Sequence, residues 1–281
     1  MGAAYNKCCC EKDGGGTMEV VTAHASSAPS GRGKGSDSKL STSRGPPMPM
    51  VKAKSAMDFG DDPGADSDSA SNMLCMVWPN SDRYDGQWVN GRATGQGIFL
   101  YENGDRYQGQ WISDEASGEG VFTKQGGSSY AGDFLRDRQH GRGSEYWPDG
   151  RSYSGCYYLG LKHGEGRLAW PDGSVYEGQF RLDALSGEGK HKWSDDRSYT
   201  GWFECSRMHG QGIFRFPDGR SYDGQWAEDR KHGNGTFTWP DGRRYVGQWC
   251  ENKQHGSGDM TYPSQEMKAG EWLLGRFVRW V

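Results

Sequence analysis

Five histidines occupy matching places in the chain, each immediately before a Gly-x-Gly triplet: His140, His163, His209, His232 and His255. Imidazole is a usual zinc donor, so metal binding is the first chemistry to weigh. The spacing argues against it. If each repeat is a pair of strands about 4.8 Å apart, equivalent side chains in successive units stand about 10 Å apart. Two ligands of one zinc ion, each at about 2.1 Å, lie within about 4 Å of one another. No metal site is therefore expected, and the histidines read as loop-packing residues. The Gly-x-Gly triplets would cradle a phosphate only if a helix N-terminus followed them, and none is expected. Basic residues recur in the same loops, namely Arg92, Arg138, Lys162, Arg207, Arg230, Lys231 and Lys253, with a second row at Arg151, Arg197, Arg220 and Arg243. Rows of this kind suit phosphoinositide headgroups, or form an ordinary solvated edge.

The N-terminus carries a different chemistry. Met1-Gly2 begins like an N-myristoylation site with Gly2 as acceptor, although Asn6 stands where the motif takes Ser or Thr. Cys8, Cys9 and Cys10 would then lie at the bilayer surface, suited to S-palmitoylation. One acyl chain binds a membrane marginally and two signals anchor stably. The alternatives are reactive thiols in a disordered tail or a metal site, but consecutive cysteines lack the C-x-x-C spacing of zinc ligands.

The elements that must position these residues follow from a repeat. Tyr-x-Gly-x-aromatic recurs at Tyr84, Tyr107, Tyr130, Tyr153, Tyr176, Tyr199, Tyr222 and Tyr245, every interval being 23 residues. Eleven residues after each tyrosine comes Gly-x-Gly, and four of the eight units close with aromatic-Pro-Asp-Gly, at Trp147, Trp170, Phe216 and Trp239. Within a unit, aromatics and glycines alternate with polar residues at period two, which predicts two half-buried strands per unit. Pro-Asp-Gly supplies one turn, with Pro presetting φ and Gly accepting φ > 0. The other connection, about six residues long on this reading, carries Gly91, Asp114, Asp137, Gly160, Asp183, Ser206, Asp229, Asn252 or Gly275, types that tolerate left-handed conformations. The expected fold is all-β: an elongated single-layer antiparallel hairpin solenoid, a rod about 80 Å long at the usual strand spacing.

Composition agrees. The chain of 281 residues has 45 Gly, 33% hydrophobic residues and a mean hydropathy of −0.93, too polar and glycine-rich for a large aliphatic core. Of its aromatics only Tyr5 and Phe59 precede residue 74. The expected organisation is an acylation anchor at 1–10, a disordered linker at 11–72, and an array at 73–281 with about eight full units from 84 and half units at both ends. Phe277, Val278, Trp280 and Val281 read as a terminal cap or a homodimer contact. The net charge of −4 provides no field that recruits nucleic acid. No apolar run of the length of a membrane span or a signal-peptide core occurs, so neither spanning nor secretion by the usual route is expected. Seven cysteines without paired spacing fit cytosolic usage.

The pattern Tyr-x-Gly-x-Trp, Gly-x-Gly, Trp-Pro-Asp-Gly at a 23-residue period resembles the MORN repeat family over about three quarters of the chain. The resemblance implies stacked β-hairpins forming a twisted, grooved rod. It also implies roles in scaffolding, at membrane–cytoskeleton junctions and, in some members, in clasping a partner peptide in the groove. Departures occur at Lys124-Gln-Gly-Gly127, at Trp193-Ser-Asp-Asp196 and at Phe134, where Trp is usual. MORN repeats attached to lipid kinases or methyltransferases accompany a large enzyme domain. No block of this sequence remains for one, and no nucleophile, base and orienting group can be assembled, so neither enzymatic activity nor a cofactor is expected.

A one-layer sheet with an aromatic face must curl, dimerise or hold a ligand. The expected function is therefore a non-catalytic, membrane-tethered scaffold with a protein partner, a peptide or helix, in an aromatic groove. Tyr153, Tyr176, Tyr199, Tyr222, Trp226, Tyr245 and Trp249 are the groove residues on this reading; the alternative role of each is core packing. Arg138, Lys162, Arg207, Arg230, Lys231 and Lys253 are the candidate lipid contacts. The alternatives are a phosphoinositide- or anionic-lipid-binding module and a structural part of a cytoskeleton, pellicle or axoneme. The expected location is the cytoplasmic face of the plasma membrane or of a pellicle or inner membrane complex, the alternative a cytoskeleton or cilium.

Overall fold

The computed structural model describes residues 72–281. Among them nineteen strands, and no helix, form one antiparallel sheet running from Asn72–Val77 to Arg276–Trp280. Each strand pairs only with its neighbours in sequence, so the sheet is an unbroken meander. The all-β hairpin repeat expected from the sequence is the fold observed. Each full unit couples a seven-residue strand, such as Ser221–Ala227, to a nine-residue strand, such as Arg230–Thr238.

The Pro-Asp-Gly corner behaves as its residues dictate. Gly219 donates to the Phe216 carbonyl at 3.1 Å and takes φ +88°, closing the turn that Pro217 starts. The other connection is shorter than expected: two residues, Glu228-Asp229, because pairing continues through Trp226↔Lys231 and Ala227↔Arg230 up to the turn. Both turn residues are left-handed, at φ +49° and +65°. That is the two-residue geometry whose twist matches antiparallel strands.

The second turn residue also ties units together, which its tolerance of φ > 0 alone does not explain. Asp229 donates its N–H to the Met208 carbonyl at 3.0 Å, and its Oδ1 accepts from the Met208 N–H at 2.8 Å. The same two-way clamp onto the preceding unit is made by Asp114, Asp137, Asp183, Ser206 and Asn252. Asp229→Ala removes the acceptor, leaves the Met208 N–H short of a partner and puts a Cβ without polar reach at φ > 0. A loss of about 1–3 kcal/mol is expected in urea unfolding, and a change below about 0.5 kcal/mol would sink the clamp.

The core is a zigzag of rings. Each repeat tyrosine meets two aromatics edge to face, one in its own unit and one in the next, from Tyr84 between Trp88 and Trp111 to Tyr245 between Trp249 and Trp272. In Tyr222, for example, the ring stands 5.1 Å from Trp226 and 5.2 Å from Trp249, with interplanar angles of 88° and 80°. This offset geometry is the favoured one for aromatic pairs. Every one of the eight tyrosine hydroxyls donates to the carbonyl three residues on, at 2.9–3.1 Å. Burial pushes these phenols up from their ordinary value, Tyr84 and Tyr245 to about 12.

Glycine lets the rings sink to backbone level. At Gly235 a Cβ would lie 2.5 Å from Cζ of Tyr222, and at Gly224 it would lie 2.8 Å from that tyrosine's hydroxyl. The first glycine of Gly-x-Gly does something else: Gly95, at φ +98°, carries the chain through a bulge where pairing jumps from Gly86↔Gly97 to Trp88↔Ala93. At the far end, residues expected as a cap pair as a further strand, Gly270↔Trp280 and Trp272↔Phe277, and Phe277, Val278 and Trp280 stay exposed.

Candidate protein-interaction face

The aromatic face is closed. Tyr153 is 1% exposed, Tyr176, Tyr199, Tyr222 and Tyr245 are 0%, and Trp226 and Trp249 are 6%. These residues form the packed spine and offer no open groove, contrary to the expectation from sequence. The reason is the glycine floor: rings lying on glycines are covered by their neighbours' edges, so the sheet buries this face without a second layer.

The charged residues singled out from sequence divide. Lys162 and Lys231 are the second residues of the second strand of their units, at inward positions where other units carry Ala93, Ala116, Leu185 and Met208. Neither lies on a solvated edge, which corrects their assignment as headgroup contacts. Lys231 Nζ stands 4.6 Å from the Phe237 ring centre, 4.9 Å from Trp249 and 5.5 Å from Tyr222. Burial, helped by Arg220, lowers its pKa to about 8. Lys162 sits 3.6 Å from Glu145 Oε2 and 3.8 Å from Asp183 Oδ1, over the Trp147 ring. Glu145 occupies the place of Phe99, Phe122, Phe214 and Phe237, accepts from the Tyr157 hydroxyl at 3.0 Å, and is raised by burial against the pull of Lys162. Arg138, Arg207, Arg230 and Lys253 are exposed on the two-residue-turn edge. Arg207 and Arg230 there pair with Glu228 and Glu251 at 3.1 and 3.2 Å, making a mixed-charge row. Gly2, Cys8, Cys9 and Cys10, and the linker at 11–72 apart from Asn72, lie outside the described residues.

His191 also replaces an aromatic of the second row. It stacks between Trp193 at 4.2 Å and Trp170 at 5.3 Å, and its Nε2 is buried without a hydrogen bond. Burial and Arg197 lower its pKa to about 4 from 6.5, with Asp172 opposing. Between those values the unfolded chain binds the proton and the folded one does not. Stability is therefore fully present above pH 6.5 and falls as pH drops towards 4, by about 2 kcal/mol after allowing for partial exposure. His191→Phe is expected to lose that part of the acid sensitivity; identical pH-dependence of chemical unfolding in the two proteins would refute the assignment.

The opposite face is the accessible one. Two adjoining hollows, about 1090 and 970 Å³, run across the strands and share Glu165, Glu177 and Gly178. Their floor is glycine, the reverse side of the positions that receive the tyrosine rings. Their walls are the polar residues of the alternation, where Glu119, Asp133, Glu165, Glu177 and Glu188 outnumber Arg142, Arg167 and Lys190. Most units place Gln or Asp just before the second aromatic of the repeat motif, and that side chain bridges the bulge: Gln225 Oε1 accepts from the Asn234 N–H at 2.8 Å, with equivalents at Gln87, Gln110, Asp133, Gln179 and Gln248. Cys156 and Trp202 stand there without such an acceptor, and Trp202 is 48% exposed. Sequence reading missed Trp202, although it is the one aromatic among the eight residues that immediately precede the repeat aromatic.

Comparison with known proteins gives a family. The MORN repeat model matches residues 84–106, 107–129, 130–150, 153–175, 176–196, 199–219, 222–243 and 245–267. No curated protein sequence matches the chain. Among solved structures the chain is similar to the SAS-4 (dCPAP) TCP domain of Drosophila melanogaster, solved in complex with a proline-rich motif of Ana2 (dSTIL), at 10% identity and a TM-score of 0.28, covering 77% of this chain and 99% of that one. It is similar to the CPAP G-box domain at 14% identity and a TM-score of 0.28, covering 74% and 97%. Likeness to virginiamycin B lyase from Staphylococcus aureus is lower, at 10% identity and a TM-score of 0.15, covering 72% and 70%. At these scores the structural likenesses carry no functional argument. The eight matched repeats, the tyrosine spine they build and the hairpin sheet agree: this chain belongs to the MORN repeat family, a non-enzymatic repeat module.

Proposed function

We propose that the protein is a non-catalytic adaptor, tethered by acylation of Gly2 and Cys8, Cys9 and Cys10 to the cytoplasmic face of a membrane, that holds a partner protein on the polar, glycine-floored face of its sheet. The observation that carries the reading is the pair of continuous hollows on that face, opposite a spine already buried by its own rings. A repeat sheet of this kind presents a long, rigid surface while each unit contacts only its neighbours. The lipid-binding reading draws less support, since two of its cations are half-buried over aromatic rings and two are paired with glutamates.

Two experiments test the two halves. A photo-crosslinking amino acid at Thr200, which lines the hollow, is expected to form covalent adducts with a polypeptide in cells, whereas one at the exposed turn residue Leu182 is not. Adducts at neither position end the partner-holding reading. For the tether, Gly2→Ala and the triple Cys→Ser variant are each expected to leave the membrane fraction; retention of both would remove the anchor.

A further inference from the structure

We infer that the stretch of the polar face around Trp202 binds a basic, arginine-bearing segment of the partner protein. The inference rests on the partner-holding reading and adds the partner's chemistry. Three features converge. Trp202 gives up the acceptor that spans the bulge in neighbouring units and instead places a half-exposed indole at the wall of the hollow. Such an indole face attracts a cation, and a planar guanidinium best. Glu165, Glu177 and Glu188 line the same hollow, against Lys190 alone among lysines and arginines. Glu177 is taken by Arg167 at 3.0 Å, while Glu165 and Glu188 have no ion-pair partner among the described residues. Glu188 is the cross-strand partner of Trp202, so one arginine can stack on the indole and hydrogen-bond to that carboxylate, while Glu165, three strands away, meets a second basic residue of the segment.

The hollow also limits how the segment lies. From the strand Leu161–Ala169 to the strand Arg207–Arg215 it crosses four strand spacings, about 19 Å. The partner therefore runs across the strands on the face of the sheet and is read by side chains. Strand addition, which needs a free edge, does not apply here.

Fluorescence anisotropy on the full chain tests this with short labelled peptides of one length and one alanine–serine background, carrying arginine, lysine, glutamate or leucine at alternate positions. The arginine peptide is expected to bind most tightly, lysine more weakly, and glutamate and leucine not at all. Trp202→Gln, which restores the residue type of the neighbouring units, is expected to weaken the arginine peptide about tenfold and to abolish the preference for arginine over lysine, with thermal melting not lowered. The Glu165→Gln, Glu188→Gln double variant is expected to weaken both basic peptides. The inference is overturned if arginine binding is indifferent to Trp202→Gln, if no peptide binds, or if Trp202→Gln instead dissolves a dimer in ultracentrifugation, which assigns the face to a second copy. A preference for leucine or glutamate that Trp202→Gln removes overturns the basic partner while leaving the adaptor; failure of the adaptor has its own signature, the absence of adducts at Thr200.

Discussion

Tyr199→Ala is expected to cost about 3–5 kcal/mol and to split one unfolding transition into two. The ring is fully buried and meets Phe203 at 5.0 Å in its own unit and Trp226 at 5.5 Å in the next. Its hydroxyl donates to the Trp202 carbonyl at 3.0 Å, with the His209 carbonyl at 3.3 Å. Removal therefore opens a cavity between two units and strips their shared contact. A repeat array is held only by neighbour terms, so weakening one interface lets the segments on either side unfold separately. Tyr199→Phe keeps the ring and is expected to cost about 1 kcal/mol, the worth of the hydrogen bond, without a second transition. Urea melts followed by circular dichroism decide the matter; a single transition and a loss under 1 kcal/mol for the alanine variant would mean that the spine does not couple the units.

Gly235→Ala reverses the sign that general experience of strands suggests. Alanine in a strand interior usually stabilises relative to glycine by about 0.5–1 kcal/mol. Gly235 has no positive φ to protect, yet its Cβ would lie 2.5 Å from Tyr222 Cζ. That ring cannot retreat, because Trp226 and Trp249 hold it from both sides and its hydroxyl is bonded to the Gln225 carbonyl. A loss of about 3 kcal/mol is expected, the upper range for overpacking. In Tyr222→Ala the clash partner is gone, so adding Gly235→Ala should cost far less than it does alone, a coupling that a double-mutant cycle measures. Simple additivity of the two losses would show that the glycine serves some purpose other than seating the ring.

Much of the fold is legible in residues that repeat. The alternation of Tyr222, Gly224 and Trp226 predicts a strand, and Pro217-Asp218-Gly219 a turn, because both depend on nearest neighbours in the chain. The clamp at Asp229 is half legible. Its tolerance of φ > 0 is written in its side chain, but its bond to Met208 joins residues 21 apart whose meeting depends on how one hairpin lies beside the next. Glu145, His191 and Trp202 are visible as departures from the pattern, yet only their surroundings distinguish a half-buried ion pair, a stacked neutral ring and a surface indole.

The 23-residue register, the two strands per unit and the glycine pairs beside each tyrosine were determined by sequence alone, since each is a local preference stated eight times over. Which face is open was decided only by tertiary structure. Alternation identifies an aromatic face and a polar face, and an exposed aromatic face would be the natural groove. The rings close it instead, because each tyrosine lies on glycines of two paired strands and is covered by an aromatic of the following unit. Ring burial of that kind depends on bulge, register and the distance between repeats, none of which is a property of any single repeat's residues.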